Sequence, residues 1–215
     1  MKRSEKAEII GQMLDDLYPT TPVPLDHTSD YTLLVAVMLS AQTTDKKVNQ
    51  VTPALFAEAD TPEQMATLEV EQIQNLIREI GLAPTKAKNL RKMAEQIVEG
   101  GGLRPDWDYL ESLAGVGHKT ASVLMAQWYG IPAFPVDTHI HRLAQRWGLT
   151  NGKNVKTTEK DLKRLFPKEK WNKLHLQIIF YGREYCKARD CYGLNCKICT
   201  TCYPNRKKPV ITKKA

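Results

Sequence analysis

Apolar residues recur at helical spacing along almost the whole chain, and no segment alternates with period two between hairpin turns. Ile9, Ile10, Met13, Leu14 and Leu17 form one stripe, and Leu33, Leu34, Val37 and Met38 form another after Asp30, a predicted N-cap. Further stripes run over Leu68–Ile80, Ala87–Val98, Thr120–Trp128, Ile140–Trp147, Leu162–Phe166 and Leu174–Tyr181. Breakers such as Gly81, Pro84, Gly100 to Gly102 and Pro167 separate them. The pattern predicts an all-α chain of many short helices. Its 215 residues suffice for one ordinary domain or two small ones. The longest apolar run, Leu33–Leu39, falls far short of the roughly 20 residues that span a bilayer. The basic start has no apolar signal-peptide core. A cytoplasmic protein without a membrane partner is therefore expected, with a lysine-rich tail, Asn205 to Ala215, lacking fixed structure.

Charge divides sharply along the chain. Residues 151–215 hold 17 of the 31 Lys and Arg but 5 of the 24 Asp and Glu, a balance of +12 that leaves −5 for the first 150. A basic segment of this size suits a polyanion, because each phosphate neutralised releases a counterion. A merely solvated face is the plain alternative. All five cysteines lie between Cys186 and Cys202. Clustered so closely in a chain expected to be cytoplasmic, they read as metal ligands rather than disulfides.

The most informative segment is Leu113-Ala-Gly-Val-Gly-His-Lys-Thr-Ala121. One helix should end near Leu113 and a second begin near Gly117, with Gly115 and Gly117 permitting positive φ and close approach of another surface. N–H groups of the hairpin Gly115-Val116-Gly117 and of the new helix would then face outward as a phosphate site that reads no sequence. An ordinary glycine-capped helical hairpin would look similar over a shorter stretch.

That string, followed by Phe134-Pro-Val-Asp-Thr-His-Ile-His-Arg142, resembles the endonuclease III branch of the helix-hairpin-helix DNA glycosylases. Met38-Leu-Ser-Ala-Gln-Thr-Thr-Asp45, Ile80-Gly-Leu82 and the cysteine segment extend the similarity from about Ile9 to Cys202. The resemblance implies a six-helix barrel domain over residues 26–132, with the helix-hairpin-helix at about 106–130. A second, iron–sulfur domain would comprise residues 1–25 and 133–215, with a DNA groove between the two. It further implies a monomeric base excision repair enzyme acting on double-stranded DNA with damaged bases or abasic sites. Such an enzyme removes oxidised pyrimidines and cleaves the strand by β-elimination. Lys119 corresponds to the amine that attacks C1′ and forms a Schiff base. That role requires a neutral amine, whereas a free lysine titrates near 10.4. A helix N-terminus and partial desolvation are the expected means of lowering it.

Asp137 is both a good N-cap and, by resemblance, the carboxylate that faces the sugar. Gln42 corresponds to the residue filling the space of a flipped base, and Leu82 to an apolar wedge on the opposite side. His139 is either a backbone-positioning DNA contact or structural, and Lys187 and Arg189 mark a basic loop on DNA. Two positions depart from the family's habit: Ala114 replaces proline, which should loosen the hairpin, and His118 replaces arginine.

The implied cofactor is a [4Fe–4S] cluster, whose usual pattern here is Cys-x6-Cys-x2-Cys-x5-Cys. This chain reads Cys186-x4-Cys191-x4-Cys196-x2-Cys199-x2-Cys202, with Gly193 at the ungapped second position. Either Cys191 substitutes for it, or the ligands are Cys186, Cys196, Cys199 and Cys202 with Cys191 spare. The second set keeps the tight Cys-x2-Cys pair and is the one expected. Spacing alone would serve zinc equally well. The remaining alternatives are a monofunctional adenine-mismatch glycosylase and a non-catalytic DNA-binding module stapled by zinc.

Overall fold

A computed structural model describes all 215 residues. Twelve α-helices account for its regular structure, apart from one turn of 3-10 helix at Lys168–Lys170. In chain order they are α1 (Arg3–Leu17), α2 (Asp30–Leu39), α3 (Asp45–Glu58), α4 (Pro62–Thr67), α5 (Val70–Leu76) and α6 (Ala83–Glu99). There follow α7 (Trp107–Ser112), α8 (His118–Gln127), α9 (Thr138–Arg146), α10 (Val155–Leu165), α11 (Trp171–Glu184) and α12 (Lys197–Cys202). The chain divides into two compact units, residues 23–130 and residues 1–22 with 131–215.

The unit of residues 23–130 is built around α2. Every residue from Tyr31 to Leu39 is buried, so this helix is apolar all round and must be enclosed by others. It packs against α3, α6 and α8, while α4 and α5 cover α6. Helix starts follow side-chain caps: Ser29, Thr44, Thr61 and Asp106 each accept an N–H from the first turn of α2, α3, α4 and α7. The single stripe expected over Leu68–Ile80 is broken. Glu69 begins α5 through a capping box with Gln72, whose Oε1 accepts the Glu69 N–H at 2.8 Å, and that helix ends at Leu76.

In the other unit α1 joins the C-terminal helices because Ile10 and Leu14 are fully buried among Phe134, Ile140, Leu143, Trp147, Leu162 and Ile178. A polar tie reinforces this packing: Asp15 accepts from Lys173 at 2.8 Å, Gln177 at 3.0 Å and Lys170 at 3.0 Å. Burial alone would raise the Asp15 pKa, but these three donors outweigh it and take the carboxyl down to about 2.

The tail is not the loose segment expected. Arg206 donates to the carbonyls of Arg146 and Gly193 at 2.8 and 2.9 Å, and the Val210 N–H donates to Tyr192 O at 2.9 Å. Gln145 exchanges two hydrogen bonds with the Lys213 backbone. These bonds offset the chain entropy that composition alone leaves uncompensated.

Candidate active site and metal centre

The hairpin is set by its glycines and by α6. Gly115 adopts φ +78°, and a Cβ there would lie 2.7 Å from Met38 Sδ and 3.0 Å from Asn89, so only glycine fits. Gly117 has φ −97° with open space around it, so of the two glycines that permit positive φ only Gly115 uses it, and Gly117 serves as an extended N-cap. Val116 is buried and its N–H donates to Leu113 O at 3.0 Å. Its amide is therefore spent inside the hairpin and is not an outward phosphate donor. The Ala114 N–H donates to Gln96 Oε1 at 2.8 Å, while Gln96 Nε2 donates to Ser112 O at 3.2 Å. Alanine thus anchors this turn through an N–H that proline lacks, reversing the expected loosening. His118 sits 2.7 Å from Glu111 Oε1 and stacks on Trp107 with ring centroids 5.7 Å apart.

Lys119 is exposed in the first turn of α8. That turn contains no acidic residue, so the positive end of the helix dipole there is unneutralised by its own side chains. The chain itself does not desolvate the amine, so the partial burial expected from sequence is not built in.

Asp137, in the other unit, caps α9: its Oδ1 accepts the Ile140 N–H at 2.8 Å. His139 lies against α11, where a Cβ on Gly182 would come within 3.1 Å of its Nδ1, and that nitrogen is 3.2 Å from Arg142 Nη2. Gln42 follows α2 and is exposed at φ +58°, and Leu82 is the N-cap of α6 at φ +63° with 57% of its surface exposed. Left-handed backbone is rare for glutamine or leucine and persists only where the surroundings over-determine it.

The cysteines group differently from the ligand set expected. Sγ atoms of Cys186, Cys191, Cys196 and Cys199 all lie within 4.8 Å of one another, and Cys191 takes the place expected for Cys202. The left-handed pair Tyr192 (φ +47°) and Gly193 (φ +80°) turns the chain back, so that Cys191 Sγ accepts the Cys196 N–H at 3.4 Å. Cys202 closes α12, where burial pushes its thiol up to about 11, against the nearby charges of Lys6 and Arg206. The grouped thiols perturb one another strongly. Hydrogen bonding to Cys196 pushes the Cys186 thiol up, whereas hydrogen bonds with Cys186 and Cys199 take Cys196 down. Four thiolates cannot share so small a buried space without a cationic centre, so the donor set fits a thiolate-bound metal. Lys187 and Arg189 are exposed on the loop between Cys186 and Cys191.

Arg146, which the sequence reading does not single out, supports that loop. It is buried and donates to the carbonyls of Cys186, Lys187 and Ala188 at 3.3, 2.8 and 2.9 Å, and to Cys186 Sγ at 3.4 Å. Its signal is present in the sequence: an arginine three residues after Leu143, on the face that carries the apolar stripe.

Residues 35–168 match the model of the HhH-GPD superfamily base excision DNA repair proteins. Endonuclease III of Bacillus subtilis is 38% identical over 211 residues, covering 97% of this chain and 96% of that one. Endonuclease III of Treponema pallidum is 41% identical over 91% and 95% of the two chains. Among solved structures, a trapped endonuclease III–DNA covalent intermediate superimposes with a TM-score of 0.87 at 35% identity, over 92% of this chain and 94% of that one.

Proposed function

Since this chain belongs to the HhH-GPD superfamily of base excision DNA repair proteins, and within it to the endonuclease III family, we propose a division of labour among its residues. The protein is a DNA N-glycosylase with associated abasic-site lyase activity. Its substrate is duplex DNA carrying an oxidised pyrimidine or an abasic site. The Lys119 amine attacks C1′ with its lone pair while the C1′–N1 bond breaks and its electrons leave with the base, which then takes up a proton. Loss of a proton from nitrogen and opening of the sugar ring give a Schiff base. Removal of a C2′ proton then expels the 3′ phosphate, which cleaves the strand.

Asp137 acts on the same sugar: one carboxylate oxygen caps α9, and the other stabilises positive charge developing at C1′ and accepts the proton that Lys119 must shed. Gln42 and Leu82 enter the duplex around the extruded nucleotide. Gly115, Gly117 and the first turn of α8 hold backbone phosphate through N–H groups, while Val116 anchors the hairpin from within. His139 steadies α9 for the same contact. Lys187 and Arg189 supply charge without reading bases.

Cys186, Cys191, Cys196 and Cys199 would hold a [4Fe–4S] cluster, in keeping with the family resemblance. With such a cluster held, these four thiolates would staple the loop that carries Lys187 and Arg189, a structural role that asks no redox step of the base excision. Neither an adenine-mismatch enzyme nor a non-catalytic zinc module is favoured by relatives named endonuclease III across more than nine-tenths of this chain.

One observation carries the reading of the nucleophile: the string Leu113–Ala121 folds as a hairpin that puts Lys119, exposed, in an acid-free first turn. Borohydride should therefore trap a covalent adduct between the protein and abasic DNA. Lys119→Gln should abolish trapping while DNA binding is retained. Trapping that survives the substitution would transfer the role to another amine.

A further inference from the structure

Lys86 is a lysine in a core position. It lies on the buried face of α6 with Ala83, Ala87, Leu90, Met93, Ala94 and Ile97, and only 6% of its surface is exposed. Its Nζ donates to Leu39 O at 2.8 Å and to Ala41 O at 2.7 Å, the carbonyls at the C-terminal end of α2. No carboxylate pairs with it. A cation is favourable at that end of a helix, where carbonyls lack intrahelical donors. Burial lowers the pKa of the amine, which is tolerated because two carbonyls accept its protons. With its donors so engaged, Lys86 is no rival to Lys119 as nucleophile.

The same residue holds the other loop through its backbone: the Lys86 N–H donates to Leu82 O at 3.0 Å, the first hydrogen bond of α6. One residue is thus bonded to Leu82 and to the neighbour of Gln42. Two further ties join the same segments. The Gly81 N–H donates to Thr43 Oγ1 at 3.3 Å, and Lys47 pairs with Glu79 at 2.8 Å. Gly81 also brings the backbones close, since a Cβ there would sit 3.4 Å from Gln42 O. Of the three non-glycine residues with positive φ in the whole chain, two are Gln42 and Leu82, and this lock lies between them.

We propose that Lys86 is a positioning residue that fixes the Gln42 loop to the Leu82 turn, so that both side chains meet a DNA duplex as one preformed wedge. This rests on the reading of Gln42 and Leu82 as duplex contacts. A wedge of fixed geometry avoids ordering two loops during base extrusion, a cost that otherwise comes out of binding. Its consequence is specific to paired DNA. A single-stranded abasic site needs no wedge, whereas a stacked lesion does.

The test compares cleavage of a lesion in duplex DNA with cleavage of an abasic site in single-stranded DNA, in single-turnover reactions of the intact chain. Gln42→Ala and Leu82→Ala calibrate the reading and should each lower the duplex-to-single-strand rate ratio. Lys86→Met, which keeps the side chain's bulk and removes its donors, should lower that ratio at least about tenfold. Thr43→Val removes the Gly81 acceptor and should lower it less; it reads the same lock should Lys86→Met fail to fold. If the two calibrating variants leave the ratio unchanged, the wedge reading itself falls, and the proposal with it. If they lower it while folded Lys86→Met does not, or while Thr43→Val does not when Lys86→Met cannot fold, the positioning role alone is overturned. Equal loss on both substrates would likewise mean that Lys86 supports the fold and not the wedge.

Discussion

At the scale of single residues, the informative cases are those whose chemistry and surroundings disagree with their type. Leu82 is apolar, exposed and left-handed; Lys86 is charged and buried; Arg146 is charged and folded into a cysteine loop. Each is costly in isolation and is held by neighbours that can be named. The cysteines give the sharpest prediction at this scale. Cys191 belongs to the four-sulfur group and Cys202 does not. Cys191→Ser should therefore lose a full complement of about four irons per chain, together with the brown colour of the protein, and Cys202→Ser should keep both. Metal analysis of the two purified variants decides. Iron retained in Cys191→Ser and lost in Cys202→Ser would restore the set expected from spacing, and one zinc per chain in the parent would displace the cluster altogether.

At the scale of elements, α1 shows how a helix distant in sequence is recruited. Its apolar stripe supplies most of the free energy, and Asp15 adds orientation through Lys170, Lys173 and Gln177. The Asp15 carboxyl lies at about 2 in the folded chain against 3.8 as its ordinary value. A depressed carboxylate stabilises the fold above the unfolded pKa and loses that contribution as pH falls through the folded value. The relevant window is therefore pH 4 down to pH 2. Asp15→Asn should cost about 1–2 kcal/mol at pH 7, after allowance for partial solvent screening, and should flatten the acid limb of the stability curve in that window. Urea unfolding of both proteins at a series of pH values would measure it. Parallel acid limbs would mean that the carboxylate is unpaired in solution.

At the scale of the whole molecule, the charge division read along the sequence is carried over unchanged into the folding units. Residues 1–22 and 131–215 hold 22 of the 31 basic and 10 of the 24 acidic residues, a balance of +12, and residues 23–130 carry −5. The unit that bears the hairpin and Lys119 is therefore net acidic, and on the proposed reading its backbone N–H groups would hold phosphate while the other unit would supply the long-range attraction. Affinity for undamaged duplex should fall steeply with salt, with a slope of about −0.9 in log–log form per phosphate neutralised. Replacing Lys187 and Arg189 together by alanine should flatten that slope by about 1–2. A slope that does not change would remove the cysteine loop from the DNA interface.

Helix content, the hairpin string and the type of metal ligand were all legible in the sequence, because each depends on residues within a few positions of one another. Period-3.6 stripes, side-chain caps and a Gly-x-Gly turn are local, and so is the reading of Lys119 in the first turn of α8. What the sequence could not decide depended on contacts made across the fold. Cys191 joins the four-thiol group because Tyr192 and Gly193 reverse the chain, an event that counting residues between cysteines does not register. The tail is ordered because Arg206 finds the carbonyls of Arg146 and Gly193, although its composition reads as loose chain. Lys86 and Arg146 stand on apolar faces where the stripe alone marks them as anomalies. Only the tertiary structure shows which carbonyls they serve, because a buried cation is stable only where the fold brings acceptors to it.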